Sequence, residues 1–231
     1  MAEKKIQNPS FRALRLKAIA AAVKRGDKNY NIWTVYSSKI KKDCVLIGDV
    51  EYLNFHWMEG DPGVASFTVD SDLYIADGDD SNGATHPDAV VTLADGTIQW
   101  REAKSVEEGE GTERDVRQES IQRRITKDLG YAYLRITPTL LKKNWQFICN
   151  WRRATAFCAA TRHISIQRFE AEVSTLIHTR GSMRLEDVTK EFEVTEHPMV
   201  IAALLKCAQQ GMVSTNLDKF PLGPRTIVAL P

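Results

Sequence analysis

No apolar run of membrane-spanning length occurs in this chain, and its 231 residues contain neither a Cys-x-x-Cys nor a His-x-x-x-His pair. The first absence argues against a helix crossing a bilayer. The start, Met1-Ala2-Glu3-Lys4-Lys5, leads into no signal-type apolar segment, so an intracellular, cytoplasmic location is expected. Cys44, Cys149, Cys158 and Cys207 are scattered, which suggests neither a disulfide framework nor a zinc site; they are expected to be buried thiols. Histidine pairs are missing too, so carboxylates are the metal ligands that remain. A Gly-x-x-x-x-Gly-Lys phosphate loop and a Gly-x-Ser-x-Gly elbow are also absent, which sets aside an ATPase and a serine hydrolase.

What is present is ordinary in bulk and uneven in detail. Apolar residues make up 43% and charged residues 26%, a balance that suits one good core or two small domains at this length. The net charge of +1 conceals strong segregation. Residues 1–42 carry 11 Lys/Arg against 2 acids, residues 43–115 carry 3 against 18, residues 116–163 carry 10 against 2, and the remainder 7 against 8. Basic arms around an acidic middle would hold a phosphate backbone while metal ions neutralise the carboxylates between them.

The acidic middle contains the most informative stretch, His86-Pro87-Asp88 followed by Glu102-Ala103-Lys104, with two short apolar runs and an Asp95-Gly96 turn between them. Side chains alternate faces along a strand, so Glu102 and Lys104 project together while Ala103 turns to the packed side. The place of Asp88 depends on the turn. A two-residue Asp95-Gly96 loop pairs residues whose numbers sum to 191 and sends Asp88 away from Glu102. A three-residue Ala94-Asp95-Gly96 loop, with Gly96 left-handed, makes the sum 190 and sets Asp88 across from Glu102. Two carboxylates about 5 Å apart repel unless one is protonated or a cation lies between them, and hard oxygen ligands suit Mg²⁺, with Mn²⁺ as substitute. The stretch thus reads as a metal-dependent nuclease core, with Asp88, Glu102 and the Ala103 carbonyl as metal ligands; the other reading of the same spacing is an ordinary amphipathic hairpin with surface charges.

Around this core the sequence predicts a helix over Phe11–Lys24, an extended segment near Tyr30–Tyr36, and a helix over Ile47–Met58 with Ile47, Val50, Leu53 and Trp57 as its apolar stripe. Strands follow at Val64–Val69 and Leu73–Ala76, then a loop over Asp77–Thr85. After Lys104, Val106–Thr112 reads as an acidic mobile loop. A helix over Glu113–Leu129 is expected to expose Arg114, Arg117, Gln118, Gln122, Arg123 and Lys127, and a strand follows at Tyr131–Ile136. The expected fold class is α/β, a small mixed sheet flanked by helices. Residues 1–42 form a basic arm and helix, 43–138 the core, 139–163 a helical linker and 164–231 a C-terminal domain. In that last part, helices near Phe169–His178, Leu185–Phe192 and Pro198–Gln210 precede a hairpin of Met212–Thr215 and Thr226–Leu230, a winged-helix-like pattern. Its third helix carries one base, Lys206, which favours protein docking over DNA reading.

Taken in order, these parts resemble the TnsA endonuclease family, the restriction-endonuclease-like subunit of heteromeric transposases. The resemblance rests on Asp49-Val50-Glu51-Tyr52-Leu53 on an upstream helix, Pro87-Asp88, the Glu102-x-Lys104 strand, a basic helix with glutamines, the strand Tyr131-Ala132-Tyr133-Leu134, and the C-terminal domain. It implies a PD-(D/E)xK core with Glu51, Asp88, Glu102 and Lys104 as catalytic positions, Glu51 reaching the metal directly or through water. It further implies cleavage of DNA at transposon 5′ ends, in a prokaryotic cytoplasm at the nucleoid. The implied partners are double-stranded transposon-end DNA, a separate TnsB-like transposase subunit and a TnsC-like ATPase regulator. Two other readings stand beside it: a stand-alone restriction or repair endonuclease that cuts unaided, and a non-catalytic adaptor between DNA and protein.

Overall fold

The computed structural model describes residues 31–70, 74, 75 and 84–231, together with Leu16 and Ala20, which are helical. The helix expected over Phe11–Lys24 otherwise lies outside the described residues, as do most of the basic arm and most of the Asp77–Thr85 loop.

Cys44 and Leu46 alternate with more exposed neighbours, and this period of two makes Lys42–Ile47 (β2) a strand that pairs antiparallel with Ile32–Ser37 (β1). The sequence reading passed over β2 and began the next helix too early. That helix, Asp49–Gly60 (α1), starts behind Gly48, whose φ of 111° suits glycine. Its burial also departs from the single stripe expected. Phe55 and Met58 enter a core with Cys44, Leu46, Val64, Phe67, Ala89 and Val91, whereas Val50, Leu53 and Trp57 pack half-buried on a second cluster of Ile136, Leu141 and Ile148. A helix covered on two sides has no single apolar stripe to read.

Four strands make the central mixed sheet in the order Val64–Thr68 (β3), Ala89–Leu93 (β6), Ile98–Ala103 (β7) and Ala132–Ile136 (β8). β3, β6 and β7 run antiparallel in turn, and β8 joins β7 in parallel. A separate small ladder pairs Tyr74–Ile75 (β4) with Ala84–Thr85 (β5). The parallel step between β7 and β8 needs a crossover, supplied by the helix Glu113–Asp128 (α2). Thr112 and Asp115 start α2 with a reciprocal capping box. The faces of β7 divide between the helices. Arg101 meets α1 through Asn54, at 3.3 Å, and lies over the Trp57 ring, while Glu102 meets Gln118 and Gln122 of α2. The class is therefore α/β with helices on both faces of a small mixed sheet.

Pro138–Lys143 (α3) and Trp145–Ala160 (α4) follow, the first capped by Thr137. Helix α4 is no open spacer: Ile148 joins the Ile136 cluster, and Trp151, Ala154 and Cys158 join the C-terminal core. That core gathers Gln167–Arg180 (α5), Ser182–Arg184 (β9), Leu185–Thr189 (α6), His197–Gln209 (α7), Ser214–Thr215 (β10) and Ile227–Ala229 (β11). The expected hairpin forms between β10 and β11, and β9 adds a third strand on the far side of β11. The α7 helix begins with Pro198 in its first turn and ends before Gly211 at φ 72°, as the punctuation of the sequence indicates. It is buried through Val200, Ala202, Ala203, Leu204, Leu205, Cys207, Ala208 and Gln209, and Gln209 reaches Glu59 at the end of α1. No helix among the described residues is long and apolar enough to cross a membrane.

Candidate functional site

The site is assembled by the β6–β7 turn. The Leu93 amide donates to the Thr97 oxygen at 2.9 Å, the Gly96 amide donates to the Leu93 oxygen at 3.0 Å, and Gly96 takes φ 87°. The loop is thus the three-residue Ala94-Asp95-Gly96 form. Ala89 pairs with Arg101, Val90 with Trp100, Val91 with Gln99 and Thr92 with Ile98, so paired numbers sum to 190. Continued by one residue, this register sets Asp88 across from Glu102. Asp88 Oδ2 accepts the Ala103 amide at 2.7 Å, which ties the carboxylate to the end of β7.

Glu102 is 2% exposed and densely solvated by side chains. Its Oε1 takes the Lys104 amine at 3.1 Å and Gln118 Nε2 at 3.2 Å, and its Oε2 takes Gln122 Nε2 at 2.8 Å. Lys104 shares the face of Glu102, as strand alternation requires. Its amine also lies 3.3 Å from Asp115 Oδ1 and donates to Gln118 Oε1 at 3.3 Å. Burial pulls Lys104 down, but Glu102 and Asp115 outweigh it and leave the amine above its ordinary value, hence cationic at neutral pH. Thr112, by donating to Asp115, holds that carboxyl down at about 2 against a smaller opposing effect of burial, so the counter-charge of Lys104 persists into acid.

Asp88 is the strained member. Burial, then the charge of Glu102, then that of Glu51, raise it well above the usual carboxylate range; the Ala103 amide and Lys104 offset only part of this. Glu51 sits in the first turn of α1, where its Oε2 accepts the Ile47 amide at 3.0 Å. It therefore braces the entry to its own helix while its charge reaches Asp88. Of the sequence-expected residues, Asp88, Glu102 and Lys104 come together at the end of β7, and the charge of Glu51 on α1 reaches Asp88.

No family model matches the chain, and no curated protein matches it.

Among the described residues, no three His, Cys, Asp or Glu side chains stand as a ready-made metal cage. Magnesium does not require one, because it keeps several waters and is commonly held by one or two carboxylates. The donor set here, two register-adjacent carboxylates in mutual repulsion, has the hard-oxygen chemistry for such a hydrated ion. A cleft of about 740 Å³ lies at the other end of the strands, beside Ala94, with Lys41, Arg162 and Lys206 on its walls. Arg162 is 3.5 Å from Asp43 and Lys206 is 3.7 Å from Glu170, so two of those cations already face acids.

The α2 helix corrects the sequence reading. Gln118 and Gln122 turn inward rather than outward, and Gln122 is 0% exposed. Asp115, Tyr133 and Thr85, given no site role in the sequence reading, complete the shell: the Tyr133 hydroxyl donates to Gln122 Oε1 at 3.0 Å, and Gln122 Nε2 also reaches Thr85 Oγ1 at 3.0 Å. The available signal was a polar stripe, since Asp115, Gln118 and Gln122 recur at helical spacing on one face. The acidic loop beside the site is tethered, not loose. Arg135 donates to the Val106 and Glu107 carbonyls, at 3.3 and 3.1 Å, and Glu107 Oε1 accepts the Thr139 amide at 2.7 Å.

Proposed function

We propose that this protein is a Mg²⁺-dependent DNA endonuclease of the PD-(D/E)xK type, the cleaving subunit of a heteromeric transposase that hydrolyses the 5′ ends of its transposon. The observation that carries this reading is the 190 register, which brings Asp88 and Glu102 side by side with the Lys104 amine 3.1 Å from Glu102. Asp88, Glu102 and the Ala103 carbonyl would hold the ion, with Glu51 reaching it directly or through water. When bound, such an ion supplies Lewis acidity at a phosphoryl oxygen and lowers the pKa of a bound water. Lys104, kept protonated by Glu102 and Asp115, is suited to donate to the attacking water and to offset charge on the phosphoryl oxygens. It is poorly suited to act as the base.

The C-terminal order α5-β9-α6-α7-β10-β11 suits a winged-helix-like module. Burial of α7 on its apolar side, and the pairing of its one base with Glu170, support docking to a partner such as a TnsB-like transposase or a TnsC-like regulator over reading of DNA bases. A stand-alone restriction or repair nuclease would use the same site and would cut unaided.

The test is calorimetric titration of Mn²⁺ in the presence of a short DNA duplex, on the wild type and on Asp88→Ala. Binding in the wild type that disappears in the variant is expected. Absence of binding in both overturns the metal site and leaves the adaptor reading. Plasmid cleavage is a poorer first test, because a subunit that acts within a complex stays silent alone.

A further inference from the structure

We infer that Gln122 is a positioning residue for Glu102, and that Tyr133 and Thr85 fix the place of its amide. This deepens the metal-nuclease reading and rests on it.

Gln122 stands on the buried side of α2, and its amide has three named partners. Nε2 donates to Glu102 Oε2 at 2.8 Å and to Thr85 Oγ1 at 3.0 Å, while Oε1 accepts the Tyr133 hydroxyl at 3.0 Å. The direction of the amide follows from the partners. An ionised carboxylate only accepts, whereas the hydroxyls of Thr85 and Tyr133 can donate or accept by rotation. Flipping the amide would set Oε1 against Glu102 Oε2 with no proton between two oxygens. The Nε2 side must therefore face Glu102, which obliges the Tyr133 hydroxyl to donate to Oε1.

The consequence is borne by Glu102. Gln122 holds Oε2 and Gln118 holds Oε1, so the carboxylate plane is gripped at both corners by amides from one helix. Oε1 already takes both Gln118 and the Lys104 amine, whereas Oε2 takes Gln122 alone and keeps a second lone pair for a ligand. A carboxylate fixed in this way loses little freedom when it meets a cation, and its orientation does not depend on the cation being there. The two glutamines differ in kind. Gln118 also accepts from Lys104, so it belongs to the charged pair, whereas the side-chain amide of Gln122 bonds, among the described residues, to Glu102 and two hydroxyls and acts on the metal through Glu102.

The test compares wild type, Gln122→Met and Tyr133→Phe as full chains, with Mn²⁺ titrated by calorimetry beside a short DNA duplex and the urea midpoint measured for each. Methionine keeps the length and much of the volume of glutamine and removes its hydrogen bonds. The expected result for Gln122→Met is Mn²⁺ affinity weakened about 10- to 100-fold, as for other partners of metal-bound side chains, with Tyr133→Phe weakened less. Wild-type binding with Gln122→Met within twofold of it overturns the inference and leaves the nuclease reading standing. Failure of the wild type to bind Mn²⁺ overturns both. If Gln122→Met does not fold, the side-chain amide signal of Gln122 in the wild type is followed by NMR during Mg²⁺ addition. Movement is expected, and a signal that stays fixed while Mg²⁺ binds overturns the inference.

Discussion

The side-chain amide of Gln209 donates to the main-chain oxygen of Glu59 at 2.7 Å and to its carboxylate Oε1 at 2.9 Å, across 150 residues of sequence. The same carboxylate accepts from the Ser37 hydroxyl, the Ser38 amide and hydroxyl, and the Lys39 amide. One fully buried acid thus fastens the β1–β2 turn, the end of α1 and the end of α7 together.

Glu59→Ala leaves five donor groups facing an empty site, and the expected loss is about 3–5 kcal/mol, the range for removing one partner from a buried charged network. Urea denaturation followed by tryptophan fluorescence measures it. A loss under 1 kcal/mol shows that water replaces the carboxylate.

Gly60 lies against the face of the Trp151 indole: a Cβ built on it would stand 2.3 Å from the ring. Trp151 is itself in the core and has little room to retreat. Gly60→Ala is expected to cost at least about 1–3 kcal/mol, as overpacking does, with a shift in Trp151 emission. An unchanged urea midpoint contradicts this.

Asp88 links stability to pH. Its folded pKa is raised above the ordinary value of 3.8, so the native state binds the proton more tightly than the unfolded chain. Stability from this residue is therefore full below about pH 4 and is lost as pH rises through the folded value. With chelator present, Asp88→Asn keeps an acceptor for the Ala103 amide and removes the charge. Its melting temperature is expected to match the wild type near pH 3.5 and to exceed it at pH 7.5 by about 2–4 °C, the response of a chain of this size to one kcal/mol. A difference independent of pH assigns no such role to Asp88.

Thr112 and Asp115 separate a helix cap from a counter-charge. Thr112→Ala removes the cap and is expected to cost about 1 kcal/mol while leaving Asp115 ionised beside Lys104. Asp115→Ala keeps the Thr112 hydroxyl on the backbone amide of residue 115 but removes the reciprocal half of the box and the counter-charge, and only there does the Lys104 side-chain pKa, followed by NMR, fall. Equal Lys104 values in the two variants contradict the assignment.

Much of the frame was legible because its signals are local. Asp95-Gly96 between apolar runs marks the hairpin, and Pro198 with Gly211 brackets α7. The loop length was the ambiguous element, since both turns are sterically sound and tertiary packing selects between them. Gln122 was misread because periodicity treats a polar side chain as surface, and its burial depends on partners 11 to 37 residues away. β2 was overlooked for a related reason: Lys42 and Asp43 disguise the alternation that Cys44 and Leu46 carry. The Glu59–Gln209 contact has no local signal at all.

The turn at Ala94-Asp95-Gly96 gives the site an unusual dependence on chain length. Asp88 and Glu102 sit some five residues up their strands from the loop, roughly 17 Å at the rise of a strand, yet their meeting is set there by a count of three. Losing one loop residue would slide the whole ladder and reverse the faces of one strand against the other, parting the two acids without altering either. At this surface turn a change of identity and a change of number are different events, and only the second reaches the far end of the sheet.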